Sequence, residues 1–178
     1  KLEFKTKEDP KTPNLSKTDK KNLGAALSAF SNADGGILIF GVKTKIKNKI
    51  DVADELIPIE HISDFKDNVD GSIGELITPE NKKIKTYVAL LKDNNNTGYL
   101  LVEIPKSDNR PHMSMAPGHS RYFRRNFEST IIMDHSLVRD LILAPRESIL
   151  DFSYKSGGER SRSIKEKEIS FRFMIIFS

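Results

Sequence analysis

Ser31 to Val42 reads SNADGGILIFGV, a polar turn with two adjacent glycines joined to a dense apolar run. Upstream, Ser16 stands where a helix cap is wanted, Asp19 lies in the first turn, and Leu23, Ala26, Leu27 and Phe30 recur at helical spacing. A helix is therefore expected to run into the stretch. Asn32 to Gly36 break it, and ILIFGV, short, apolar and bounded by glycine, reads as a buried central strand. The order is helix, tight turn, strand. A phosphate-binding loop needs the reverse order, so that backbone amides, a lysine and a hydroxyl converge on the phosphates. Gly35, Gly36 and Gly41 form GGxxxxG with no Lys-Ser or Lys-Thr pair directly after, and no GxGxxG occurs. The glycines read instead as a chain reversal, where positive φ or close backbone approach is required.

Working outward, LEFK is a short strand candidate and TKEDPKTPNL a proline-punctuated loop. KTKIKNKI after the central strand suits an exposed hairpin, with Lys43, Lys45, Lys47 and Lys49 on one face if extended. A second helix is predicted from about Ile59 to Ile77, its apolar stripe formed by Ile62, Phe65, Val69, Ile73 and Leu76 and weakened by Gly71 and Gly74. KIKTYVALLK, the turn DNNNTG and YLLVEIP form the clearest β-hairpin. A long loop, KSDNRPHMSMAPGHS, leads to a strand RYFRRNF and to a helix MDHSLVRDLIL capped by Asp134, with Leu137, Leu141 and Ile142 inward. Pro145 ends that helix, and the remainder to Ser178 reads as two strands around a polar loop.

The 178 residues suffice for one ordinary domain and a modest extension. A hydrophobic fraction of 37% and a charged fraction of 30% are those of a globular protein rather than a disordered one. No apolar run approaches the roughly 20 residues of a membrane span, and no signal-peptide pattern opens the sequence. A cytoplasmic protein is expected. The absence of cysteine excludes disulfides and thiolate chemistry. The formal charge of +4 is mild, but its distribution is uneven: Asp51 to Glu80 hold nine carboxylates against one lysine, Lys66, so that segment carries about −8 and the rest about +12. The acidic segment reads most simply as a solvated helix face. Basic residues collect in Lys1 to Lys21, in the lysine hairpin and between Arg110 and Arg125, a pattern suited to one positive face.

The last of these clusters is the strongest chemical signal. Arg110, Arg121, Arg124 and Arg125, with His112, His119, Tyr122, Phe123 and Phe127, combine bidentate phosphate donors with stacking surfaces. On a strand, Arg121, Phe123 and Arg125 face one way and Tyr122 and Arg124 the other, so only part of the set serves one surface. The alternative is that the arginines pair with the acidic segment, within the fold or across a partner chain. For metal or nucleophilic catalysis the chain is poor: His61, His112, His119 and His135 form no HxH or HExxH, and no serine sits in GxSxG.

LEFK, AFSNADGGILIFGV, LLVEIPKSDNRPHM and RYFRRNFESTIIMDHSLVRDLI resemble, in that order, the signatures of the Schlafen-type AlbA domain: EFK, AFANTxGGxLxxGV, VxVPxSxxxPH and YYxRxGxSTxxM. The resemblance runs from Lys1 to about Leu143. It implies a compact α/β fold with a mixed sheet and a nucleic-acid-binding role, usually at the N-terminus of larger bacterial proteins described as transcriptional regulators or divergent ATPases. Asn32, Gly35, Gly36 and Gly41 are its structural signature here. Some members are metal-dependent ribonucleases whose activity is attributed to three carboxylates: one before EFK, the glutamate of EFK and an aspartate just after GV. Such a cluster would hold divalent cations that activate water. Glu3 matches the second, the first would precede Lys1, and the third falls on Lys43 and Thr44. A bulge in KTKIKNKID would be needed to bring Asp51 back.

The expected molecule is thus an α+β (mixed α/β) domain over residues 1–144, a mixed sheet flanked by helices. Residues 145–178 are expected to form a linker and the start of a β-rich extension or second domain. The expected activity is binding of DNA or RNA through backbone phosphates by Lys43, Lys45, Lys47, Arg110, His112, Arg121, Arg124 and Arg125, without a resident metal or cofactor. The alternatives are a ribonuclease centred on Glu3 with Mg or Mn, and an interaction module in which the acidic segment meets the basic loop of a second copy, giving a homodimer. No membrane partner is expected.

Overall fold

In the computed structural model, which describes residues 1–47, 50–92, 94–126 and 129–144, LEFK forms strand β1 (Leu2–Lys5) and the expected first helix follows as α1 (Lys17–Ser31). Ser16 and Asp19 start that helix with a capping box. The Ser16 hydroxyl accepts from the Asp19 N–H and the Asp19 carboxylate accepts from the Ser16 N–H, both at 3.0 Å. Asp19 is fully buried and also accepts from the Glu8 N–H, so the cap ties the preceding loop to the helix. Lys7 is buried with it, its ammonium 4.0 Å from Asp19 and over the Phe65 ring.

At the other end of α1 the two glycines reverse the chain into β2 (Gly36–Phe40). Gly35 has φ 77°, and a Cβ there would lie 2.8 Å from the Ile104 carbonyl. A Cβ on Gly36 would collide with the edge of the Phe30 ring. One glycine supplies the backbone conformation, the other the room for the aromatic side chain that closes the helix onto the sheet.

The lysine stretch forms the expected hairpin, β3 (Val42–Lys47) with β4 (Ile50–Leu56), and a bulge interrupts its register at Lys43/Thr44. The N-terminal part of the acidic segment is therefore strand, not helix. Two residues, β5 (Ile59–Glu60), then pair with a later strand, so α2 (Ile62–Leu76) begins three residues beyond its expected start, after His61 at φ 51°. β6 (Ile77–Thr78) follows, and then the predicted hairpin, β7 (Lys85–Leu91) with β8 (Asn94–Ile104). Strand β8 takes up most of the expected DNNNTG turn. β9 (Met113–Ser114), β10 (Arg121–Asn126), β11 (Ser129–Ile132) and α3 (His135–Leu143) complete the described chain. Asp134 caps α3 through the Leu137 N–H, but Ile142, expected inward, is 61% exposed, while Leu137, Val138 and Leu141 are half-buried. The predicted strands of 145–178 lie outside the described residues, as do Lys49 and Phe127.

Strand β8 is the centre of the main sheet. β2 and then β5 pair along one edge and β7 along the other, all antiparallel, while β1 adds in parallel to β2. The fold is mixed α/β, with a mixed sheet and helices packed on it. Leu23, Leu27 and Phe30 of α1 and Phe65 and Val69 of α2 bury against Leu38, Phe40, Leu100, Val102 and Ile104. Phe40 and Phe65 meet edge to face, centroids 5.6 Å apart. A second, smaller sheet, ordered β11-β10-β9-β6, carries the arginine-rich strand. Among the described residues no helix is long and apolar enough to cross a membrane.

Candidate nucleic-acid interface

The C-terminal turn of α1 does more than end a helix. Asn32 donates to the carbonyls of His112 at 2.8 Å and Phe123 at 2.9 Å, and its side-chain oxygen accepts from the His112 N–H at 2.7 Å. One turn earlier, the Ser28 hydroxyl donates to the His112 carbonyl and accepts from the Phe123 N–H. Ser31 accepts from the Ser107 N–H through its carbonyl and from Asn81 through its hydroxyl, and Asn81 donates onward to the Pro105 carbonyl. Three small polar residues on one buried helical turn thus hold the 105–112 loop and the start of β10 in place. Of these only Asn32 is legible as a signature. Ser28 and Ser31 carry a fainter signal, hydroxyls beside an otherwise apolar stripe, and Asn81 carries none.

His112, expected among the phosphate contacts, is instead fully buried in this network and has no surface to offer a ligand. Its Nδ1 lies 2.6 Å from the Pro79 carbonyl, which makes Nδ1 the protonated nitrogen, and Nε2 is buried with no partner among the described residues. Burial pushes the imidazole pKa down; the Pro79 contact opposes this and Arg110 adds to it.

The arginines separate into two groups. Along β10, Phe123 is buried and Arg125 turns inward with a side chain only 9% exposed, whereas Arg124 and, at the strand start, Arg121 are exposed. Arg110 is half-buried at the loop surface and Lys106 is exposed. Two aspartates report the local field. The Lys1 ammonium, 3.1 Å away, holds the Asp34 carboxyl below the usual range, with Lys106 and Arg124 adding to it. Lys83, at 2.7 Å, does the same to Asp108, helped by Lys106 and Arg110. Lys1, Lys106, Arg110 and Arg124 are therefore neighbours around the α1–β2 reversal and the loop after β8. Lys106, Arg110, Arg121 and Arg124 form no ion pair among the described residues.

The hairpin lysines differ. Lys43 pairs with Glu55 at 3.1 Å and Lys45 with Asp54 across the bulge, so the acidic segment meets these lysines rather than the arginines. Lys47 lies farther along β3. Arg125 pairs with Glu3 instead, Nη1 to Oε2 at 2.8 Å, and Lys5 reaches the other oxygen at 3.2 Å. Asp51 sits opposite Ile46 in the outer part of the hairpin, and the bulge, which falls at Lys43/Thr44, aligns Asp54 rather than Asp51 with the inner lysines. Among the described residues no three His, Asp or Glu side chains converge as a metal site. The described residues thus do not assemble the carboxylate cluster that the resemblance to Schlafen-type nucleases implies.

Among solved structures, the chain is similar to the DIP2311 protein of Corynebacterium diphtheriae, with 15% identity and a TM-score of 0.49, over 80% of this chain and 24% of that one. It is also similar to the N-terminal domain of a Nitrosomonas europaea protein described as related to the ATP-dependent DNA helicase RecG, with 19% identity and a TM-score of 0.45, over 75% of this chain and 84% of that one. The chain thus spans about a quarter of the Corynebacterium protein. No curated protein matches it. The model of the family described as Schlafen, AlbA_2 matches residues 1–134, a span containing the reversal, the buried Asn32 network and the arginine strand, and the chain belongs to that family.

Proposed function

We propose that this domain binds nucleic acid by its phosphate backbone, through Lys106, Arg110 and Arg124, which neighbour one another around the α1–β2 reversal, and through Arg121, exposed at the start of β10. The observation that carries the reading is the division among the cations: these four have no acidic partner among the described residues, whereas Lys43, Lys45 and Arg125 are neutralised within the fold. Unpaired guanidinium groups on a surface fixed by a buried hydrogen-bond network are suited to bidentate phosphate contacts, which position a duplex or strand without reading its bases. Membership of the Schlafen AlbA_2 family agrees with a nucleic-acid-related role. Either DNA or RNA satisfies this chemistry.

Fluorescence anisotropy with a labelled duplex and with tRNA, repeated over a range of salt concentrations, tests the reading. Affinity should fall steeply with salt, and each of Arg121→Gln and Arg124→Gln should lower the slope of log K against log salt by about 1. Lys43→Gln and Lys45→Gln, which remove already paired charges, should change it far less. Salt-independent binding, or equal effects from the arginine and lysine variants, would contradict the proposed contacts.

A further inference from the structure

We infer that Arg125 is the built-in counter-cation of Glu3, placed where a metal-dependent relative would need a divalent ion, and that the pair clamps the main sheet to the small one. Glu3 belongs to β1 and Arg125 to β10, and their side chains are 11% and 9% exposed. Arg125 Nη1 also donates to the Thr130 hydroxyl of β11 at 3.0 Å, and its guanidinium lies over the Phe30 ring of α1, 5.5 Å from the centroid. The Thr130 hydroxyl lies 3.4 Å from the same Glu3 oxygen, and Lys5 occupies the other. Both carboxylate oxygens are engaged. One largely buried negative charge faces two positive ones, so a divalent cation approaching Glu3 would meet a guanidinium and an ammonium that repel it. A magnesium ion held by protein carboxylates commonly draws on one or two of them, but the residues after Gly41 and Val42 are Lys43 and Thr44.

The clamp has a mechanical side. Among the described residues β1 pairs in its sheet with β2 alone, and Arg125 adds an attachment from 122 positions along the chain. Removing one partner of such a pair is costly, because the other is left buried and charged.

Two measurements on the full chain test this. Titrated with manganese and followed by the EPR signal of the free ion, the wild-type protein should show no site that depends on Glu3. A stoichiometric site abolished by Glu3→Gln would overturn the inference, while binding that survives Glu3→Gln leaves Glu3 outside the ligand set and agrees with it. In urea unfolding, Arg125→Met should lower the midpoint more than the double variant Glu3→Gln/Arg125→Met does. Simply additive losses would refute the clamp. If Arg125→Met does not fold, Arg125→Lys keeps the charge and loses the fork; it should be destabilised less in the Glu3→Gln background than alone, and equal loss in both would refute the clamp.

Discussion

Asn32 uses both side-chain donors and its acceptor on one stretch of backbone 80 to 91 positions away. Asn32→Ala would leave the buried His112 N–H unpaired and two carbonyls short of a donor, with an expected loss of about 3 kcal/mol in urea unfolding; a loss under about 1 kcal/mol would place the weight on Ser28 instead. His112 makes a separate prediction. Its folded-state pKa lies below the ordinary value, so the unfolded chain takes up the proton first. The stabilisation is complete above the unfolded pKa and is lost as pH falls toward the folded one. Wild-type protein should therefore lose stability as pH falls below about 6.5, the ordinary imidazole value, and His112→Asn, which keeps a donor toward Pro79, should show a flatter profile over the same range. Neither role of His112 can be read from its neighbours in the chain. An exposed His beside arginines and a buried one look alike until the partner backbone is known.

Among the elements, the helix–reversal–strand unit was legible because each of its signals is local. The cap, the apolar spacing and the glycine pair all act within a few residues of where they are read. The glycines themselves separate two effects. Gly36→Ala would drive a methyl into the edge of the Phe30 ring and should cost about 2 kcal/mol or more, whereas Gly71→Ala, in α2 with open space around it, should stabilise by up to about 1 kcal/mol. Opposite signs in thermal unfolding are expected, and destabilisation by both would contradict the packing at Gly71. The start of α2 was less legible. Ile59 fits the helical stripe by period, yet it is drawn into β5 by pairing with β8, and only that tertiary pairing sets the boundary. α3 was placed correctly, but which side of it the domain covers depends on a neighbour its own sequence does not specify.

For the whole molecule, the acidic segment and the basic clusters were both visible, but their partnership was not. Two of the three lysines expected on nucleic acid, Lys43 and Lys45, cross the hairpin to Glu55 and Asp54, and one of the four arginines turns inward to Glu3. What is left exposed and unpaired includes Lys106, which the reading of the chain did not single out. The sequence by itself determined the mixed α/β architecture, the central strand, the side-chain caps of α1 and α3 and the family, because these rest on periodicity, capping chemistry and motif order within short windows. Tertiary structure alone decided which charges are free. Ion pairing and burial depend on groups brought together from positions up to 122 apart, and no local period in a chain encodes that apposition.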